Sequence, residues 1–270
     1  MSFAERWLRR PQNTRAYKVV FQIHLWAGLL LGLYIVVECA SGSAIVFRNN
    51  FYDVFEAWNK AGATPLESRV IHSGYTAMKW CGDLHSNLLL GGRGIIVNAV
   101  GGFLVSALCV TGLIVWWPGI ATWRRGLGIR LDVGWKRMVF DLHKATGFWI
   151  FGFVFMWGMT GGYFVYPQPF RTVVNWLAPI DAPVATGTNA PGVQPVPRMR
   201  TRRTPRPLTT GGKILRGFSA AHEGTFGGLG VGGLGVKALW FVLGLAPTVL
   251  VLTAVLMWWN RVLHPWLLKK

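Results

Sequence analysis

The sequence predicts an all-α membrane protein: a bundle of four transmembrane helices built from two repeated two-helix units. The 270 residues are 52% hydrophobic and only 14% charged, whereas a soluble domain usually carries about 25% charged residues. Four apolar runs are each long enough to cross a bilayer, which takes about 20 residues. Two of these runs repeat one another, with Phe21 aligned on Phe140 at an offset of 119 residues.

The four spans follow one another with basic or aromatic residues at their ends. A basic segment precedes the first span, Trp116-Trp117-Pro118 ends the second, Tyr166-Pro167 ends the third and Trp258-Trp259 ends the fourth. Aromatic residues of this kind anchor helices at the membrane–water interface. We expect spans at about 20–47, 94–117, 140–166 and 236–259, with extramembrane loops at 48–93 and 167–235.

The second and fourth spans also echo each other. Thr111 precedes Trp116 by five residues, and Thr253 precedes Trp258 by the same interval. Together with the repeat of the first span in the third, this spacing predicts a parallel repeat about an axis along the membrane normal.

The distribution of Lys and Arg predicts the orientation of the spans. The N-terminal segment, the 118–139 connection and the C-terminal segment carry five, five and three basic residues, and four spans place all three on one side. By the positive-inside rule both termini are cytoplasmic and the loops 48–93 and 167–235 are periplasmic. The eight basic residues of 167–235 do not oppose this, because loops longer than about 60 residues escape the rule.

The formal charge of +18 predicts contact with lipid rather than nucleic acid, because the basic residues mostly flank apolar runs. Three isolated cysteines form no metal-binding pattern. No glycine-rich nucleotide fingerprint follows a strand pattern. No nucleotide-binding domain is therefore expected.

Four of the six histidines form two pairs related by the repeat. His24 and His143 lie at the cytoplasmic ends of the first and third spans, and His85 and His222 precede the second and fourth spans on the outer side. Paired imidazoles from facing helices in an apolar bundle are typical of bis-histidine haem. The other interpretation is that they are hydrogen-bonding residues at the interface. A zinc or copper site is not favoured, because no carboxylate or thiolate accompanies the histidines at ligand spacing.

Glycines lie on the same helical stripes as these histidines. Gly28 and Gly147 follow His24 and His143 by four residues, and Gly42 and Gly161 lie about 27 Å beyond the same histidines at 1.5 Å per residue. We expect the first two to make room for an inner macrocycle and the last two for an outer one. Close packing between helices is the alternative.

The segments HLWAGLLLGL…SG, DLHSNLLLGGRG…TGLIVWWPG, DLHKATGFW…TGGYF and AHEGTFG…MWWNR resemble the PepSY-associated transmembrane family, and within it the inner-membrane reductases of ferric siderophores. The resemblance implies a bacterial inner-membrane protein with two b-type haems that passes electrons to ferric iron in the periplasm. The matching positions are His24, His85, His143 and His222. The loops differ, because longer members carry folded PepSY-type regions there.

The histidine pairs, together with the acceptor that the resemblance implies, lead to the hypothesis of an oxidoreductase that holds haem iron at His24/His143 and His85/His222 and reduces a ferric siderophore or other ferric chelate. Its electrons would come from a quinol, a soluble reductase or a partner subunit. A quinol-linked cytochrome that serves a protein partner, or a haem-free accessory subunit of a transporter or protease system, are the alternatives. Several charged residues have a functional and a structural interpretation. Arg93, Lys144 and Arg216 are either partners of haem propionates or anchors at the membrane interface, and the cluster Arg198–Arg206 either attracts an anionic chelate or is a basic segment on the membrane surface. Glu38 either takes part in proton or quinol chemistry or is a neutral, hydrogen-bonded side chain.

Overall fold

The computed structural model of the chain describes residues 2–180, 208–226 and 233–267, and within these ranges the chain is helical with no β-strand. This confirms the predicted all-α fold. The ten α-helices of the described ranges are α1 Phe3–Arg9, α2 Arg15–Ile45, α3 Arg48–Lys60, α4 Pro65–Asn87, α5 Gly92–Trp116, α6 Trp135–Val165, α7 Pro167–Leu177, α8 Thr210–Glu223, α9 Leu234–Trp258 and α10 His264–Leu267.

Four helical segments are long and apolar enough to cross a membrane, as the sequence predicts. They contain α2, α5, α6 and α9. The predicted bounds hold closely at the Trp-rich ends, but α2 and α6 begin five residues earlier than expected. The start of α2 is set by Thr14, whose side chain accepts a hydrogen bond from the backbone N–H of Tyr17 at 3.2 Å.

The four spans form a ring in which α5 packs on α6, α6 on α9, α9 on α2 and α2 on α5. Glycines set the closest crossings between the two repeated units. A Cβ on Gly102 of α5 would lie 2.8 Å from the carbonyl oxygen of Gly158 in α6, and a Cβ on Gly244 of α9 would lie 2.5 Å from Oγ of Ser43 in α2. Gly102 and Gly244 are 142 residues apart, as are Thr111 and Thr253, so both crossings use the same position of the repeat.

The segments predicted as extramembrane loops contain further helices. Residues 48–93 fold largely into α3 and α4, and the described parts of 167–235 contain α7 and α8. Helix α4 packs on α2 and α5, whereas α8 packs on α6 and α7. The sequence analysis described these stretches only as extramembrane loops and gave no helices within them. A signal for α4 was present, because Thr64 and Glu67 form a capping box around Pro65 at the first turn.

Helices α4 and α8 each bring one of the predicted histidines to the bundle. His85 lies in the last turn of α4 and His222 in the last turn of α8. We call this end of the bundle the His85 end, and the opposite end, where α2 and α6 begin, the His24 end.

The connection between α5 and α6 is fixed at the His24 end by a buried carboxylate. Asp141 is 3% exposed, and its two oxygens each lie 3.0 Å from an Nε atom, one of Arg130 and one of Arg137. Trp116 Nε1 donates to the carbonyl of Gly126 at 3.2 Å. These bonds hold the connection against the bundle close to His143.

The α5–α6 crossing gives a direct test of the packing. An added Cβ at Gly158 would overlap the Gly102 carbonyl and the Ser106 hydroxyl, and neither backbone can move without shifting a whole helix. We expect Gly158→Ala to lower the stability by about 1–3 kcal/mol, as overpacking does, measured as the unfolding midpoint in detergent. The control is Gly152→Ala in the same helix, where a Cβ meets nothing within 4 Å. Equal midpoints for the two variants would contradict the crossing.

Candidate functional site

The structure brings together the two histidine pairs that the sequence analysis proposed. His24 of α2 and His143 of α6 line one cavity of about 910 Å³. At the other end, the ring centres of His85 and His222 lie 6.2 Å apart. Each pair thus takes one histidine from each repeated unit.

The His24-end histidines bind threonines of the neighbouring spans. Nδ1 of His24 lies 3.1 Å from Oγ1 of Thr111, and Nδ1 of His143 lies 2.9 Å from Oγ1 of Thr253. The two threonines are the pair whose spacing to the tryptophans marked the repeat. The sequence showed this echo, but it did not reveal that each threonine binds the histidine of its own unit.

The His85-end histidines bind hydroxyls of the first span of their own unit. Nδ1 of His222 lies 2.7 Å from Oγ1 of Thr160, and Nδ1 of His85 lies 3.4 Å from Oγ of Ser41 and 3.2 Å from the carbonyl oxygen of Glu38. Ser41 and Thr160 are separated by the repeat offset of 119 residues. Sequence reasoning missed both, although the offset alone pairs them.

These contacts determine which ring nitrogen carries the proton. Nδ1 of His143 lies 3.1 Å from the carbonyl oxygen of Leu250, and a carbonyl only accepts. The same argument applies to His85 and the Glu38 carbonyl. Thr111 and Thr160 donate their own protons to backbone carbonyls of their helices. Their oxygens therefore accept from an Nδ1–H.

All four imidazoles consequently present an unprotonated Nε2, and no described residue is hydrogen-bonded to it. This is the tautomer that ligates a metal through Nε2 while the other nitrogen donates to a hydroxyl or carbonyl. Burial, with a further contribution from the nearby His85, lowers the pKa of His222 to about 3. His222 is therefore neutral at physiological pH, as ligation requires.

The spacing of the His85–His222 pair fits one metal between two imidazoles. Bonds from a metal to imidazole nitrogen are about 2 Å long, so two rings on opposite sides of one metal have centres about 6 Å apart. The observed 6.2 Å between His85 and His222 matches this spacing. In the described residues no three His, Cys, Asp or Glu side chains come together as a metal site.

The cavity at the His24 end is apolar and opens onto the predicted glycines. Gly28 and Gly147 both line it. A Cβ on either would meet only a leucine methyl group, at 4.0 Å and 3.8 Å respectively. Buried Nε1 of Trp258, on the wall of the cavity, has no hydrogen-bond partner among the described residues. An apolar space with an unused donor on its wall fits a planar group that also carries acceptors.

Basic side chains also line the cavity at the His24 end. Lys144, which the sequence proposed as a propionate partner, lines it, and so do Lys18 and Arg261, which the sequence reasoning did not single out. Arg93 and Arg216, the other two proposed partners, are exposed on α5 and α8. The cluster Arg198–Arg206 falls outside the described residues.

The other predicted glycines have different neighbours. A Cβ on Gly42 would lie 2.8 Å from Cε1 of His85, and one on Gly161 would lie 3.9 Å from Cε1 of His222. Gly42 thus makes room for the imidazole itself, and clearance of a macrocycle by Gly42 and Gly161 stays a prediction. Gly112 was missed by the sequence reasoning: a Cβ there would lie 3.0 Å from Cε1 of His24.

Comparison with known proteins identifies a family that the chain matches. The model of the PepSY-associated TM region matches residues 56–261. A stretch of 122 residues, 39% of this chain, is 29% identical to the "Uncharacterized protein PA4219" of Pseudomonas aeruginosa, and the match spans 29% of that relative's length. No solved structure matches the chain. The chain therefore belongs to the family of PepSY-associated transmembrane regions.

Proposed function

We propose that this membrane protein is an oxidoreductase that binds two haem b groups, one at each histidine pair, and reduces a ferric siderophore or a similar ferric chelate. The observation that carries the proposal is the common state of the four histidines. Each has its Nδ1–H bonded to a hydroxyl or a carbonyl, and its Nε2 has no hydrogen-bond partner among the residues that the structure describes. Four half-buried imidazoles arranged alike, two from each unit, are the ligand set of two bis-histidine sites.

Haem iron supplies one-electron chemistry, because it alternates between the ferric and the ferrous state. The chain's own residues hold the ligating rings, exclude water and set the separation of the two sites. His24 and Ser41 are 17 residues apart on α2, as are His143 and Thr160 on α6, which separates the two ligand pairs by about 25 Å along the helices. That distance covers most of the hydrocarbon thickness of a bilayer, about 30 Å.

The proposed acceptor follows from its chemistry. A chelator selective for Fe(III) holds Fe(II) weakly, so transfer of one electron to the bound Fe(III) releases the metal as Fe(II). The electron comes from a quinol or a reductase at the His24 end, which we propose faces the cytoplasm of a bacterium. Lys18, Lys144 and Arg261 at that cavity provide the cations that two haem propionates need.

The absorption spectrum of the purified protein tests the cofactor and the ligand pairing. We expect a low-spin b-type spectrum with two haems per chain. His24→Ala should remove one haem and leave the one held by His85 and His222, and His85→Ala should do the reverse. His72→Ala, an exposed residue on the same α4 as His85, serves as the control and should keep both haems. A wild-type protein without haem after expression with ample haem supply would overturn the proposal.

The threonine contacts predict a change in haem affinity. Thr111→Val keeps the shape of the side chain but removes the acceptor of the His24 Nδ1–H. Outer-shell bonds of this kind typically contribute 10–100-fold to affinity, so we expect about tenfold weaker binding of one haem, measured by titrating the apoprotein with haemin. Thr248→Val is the matched control, because the buried Thr248 hydroxyl has no partner among the described residues. Equal losses in both variants would count against the role of Thr111.

Reoxidation of the reduced protein tests the acceptor. We expect dithionite-reduced wild-type protein to be reoxidised without oxygen by a ferric siderophore, with Fe(II) trapped by a ferrous chelator in a 1:1 ratio to the electrons lost. His85→Ala, which retains the His24/His143 site, should be reoxidised at least tenfold more slowly. Rapid reoxidation by an oxidised redox protein, with none by ferric chelates, would indicate a cytochrome that serves a protein partner instead.

A further inference from the structure

The two repeated units differ at one position beside the outer histidine pair. Glu38 of α2 is 14% exposed and lies within a membrane-spanning helix. The repeat offset of 119 residues places Trp157 of α6 at the equivalent position. Trp157 donates from Nε1 to the carbonyl oxygen of His222 at 3.2 Å. One unit therefore carries a carboxylate where the other carries a neutral donor.

The carboxylate of Glu38 touches the imidazole of His85. Its Oε2 lies 3.1 Å from Nδ1 of His85, and its Oε1 is buried with no hydrogen-bond partner among the described residues. The His85 Nδ1–H thus faces an acid in addition to the Glu38 carbonyl and the Ser41 hydroxyl. The partner ring of His222 has the Thr160 hydroxyl at its Nδ1 instead, at 2.7 Å.

No lysine or arginine of the described ranges forms an ion pair with Glu38. An acidic side chain inside a membrane span usually faces a functional site or a partner charge. The group that this carboxylate meets is His85.

We infer that Glu38 is a positioning residue that lowers the reduction potential of the His85–His222 site below the value that this site would have without the carboxylate. A carboxylate that accepts the Nδ1–H increases the basicity of the imidazole as a ligand. Its negative charge in a low-dielectric interior stabilises the more positive ferric state over the ferrous state. Both effects lower the reduction potential of this site, and the inference rests on the proposed function.

The direction of this effect suits the proposed acceptor. A chelate that holds Fe(III) far more tightly than Fe(II) is a weak oxidant, and only a strongly reducing donor transfers an electron to it. The proposed donor site for that electron is the His85–His222 pair. Glu38 is on the side of the molecule where such a donor is needed.

Potentiometric titration at a single pH tests this role. In a His24→Ala background only the outer haem is present, and its midpoint is compared with and without Glu38→Gln. We expect the substitution to favour the reduced form about tenfold, equal to 59 mV for a one-electron couple. Glu38→Asp, which keeps the charge, should restore most of the difference. Cys39→Ala, on the adjacent residue, is the control and should leave the midpoint unchanged.

The same substitution in a His85→Ala background, where only the inner haem is present, should not move its midpoint. If the wild-type protein binds two haems but the Glu38→Gln variant has the same midpoint as its His24→Ala parent, this inference alone is overturned. Loss of the outer haem in Glu38→Gln would also overturn it, because Glu38 would then hold the ligand rather than set its potential. Wild-type protein without haem would overturn the proposed function itself.

Discussion

The bonded Nδ1–H of a buried imidazole is the interaction on which this arrangement depends. A buried donor without a partner costs about 1–3 kcal/mol, and in an apolar bundle the partner has to come from a neighbouring helix. Thr111 and Thr253 connect α2 to α5 and α6 to α9, whereas the hydroxyls of Ser41 and Thr160 connect α2 to α4 and α6 to α8. Each bond fixes the rotation of a ring and, with it, the direction in which Nε2 points.

The bonds lie within the repeated units, but the histidine pairs form between them. His24 comes from the first unit and His143 from the second, and the outer pair is divided in the same way. Neither unit alone contains a complete pair. The separation of the two imidazoles in each pair is therefore set by how closely the units approach. The glycine crossings at Gly102 and Gly244 determine that approach, so these small residues control the geometry of both candidate sites.

The depth of the histidines and the pairs they form could be predicted from the sequence, but the orientation of the side chains around them could not. Apolar run length located the four spans, and the offset of 119 residues paired His24 with His143, because equivalent positions of a repeat lie at the same depth. His85 and His222 were paired by their place before the second and fourth spans. The offset did not show that Gly42 faces the His85 ring, since that depends on the path of α4. Helix α4 itself was missed because its mixed polar sequence lacks a long apolar run, and only the Thr64–Glu67 capping box indicated it. Thr111 was visible as an echo, but its bond to His24 requires the rotation of two helices.

Two acids inside the bundle, Asp141 and Glu38, differ in the charges that surround them. Asp141 is neutralised by two guanidinium groups at the His24 end, and so it needs no further partner. Glu38 has no such cation among the described residues, and removing an unpaired carboxylate from water is costly. Its proximity to His85 makes sense if that imidazole ligates a metal of higher charge in one of its states. The proposed ferric site between His85 and His222 would supply the compensating charge that no lysine or arginine of the described chain provides. The departure from the repeat at Glu38 is therefore part of the same electrostatics as the ligand set.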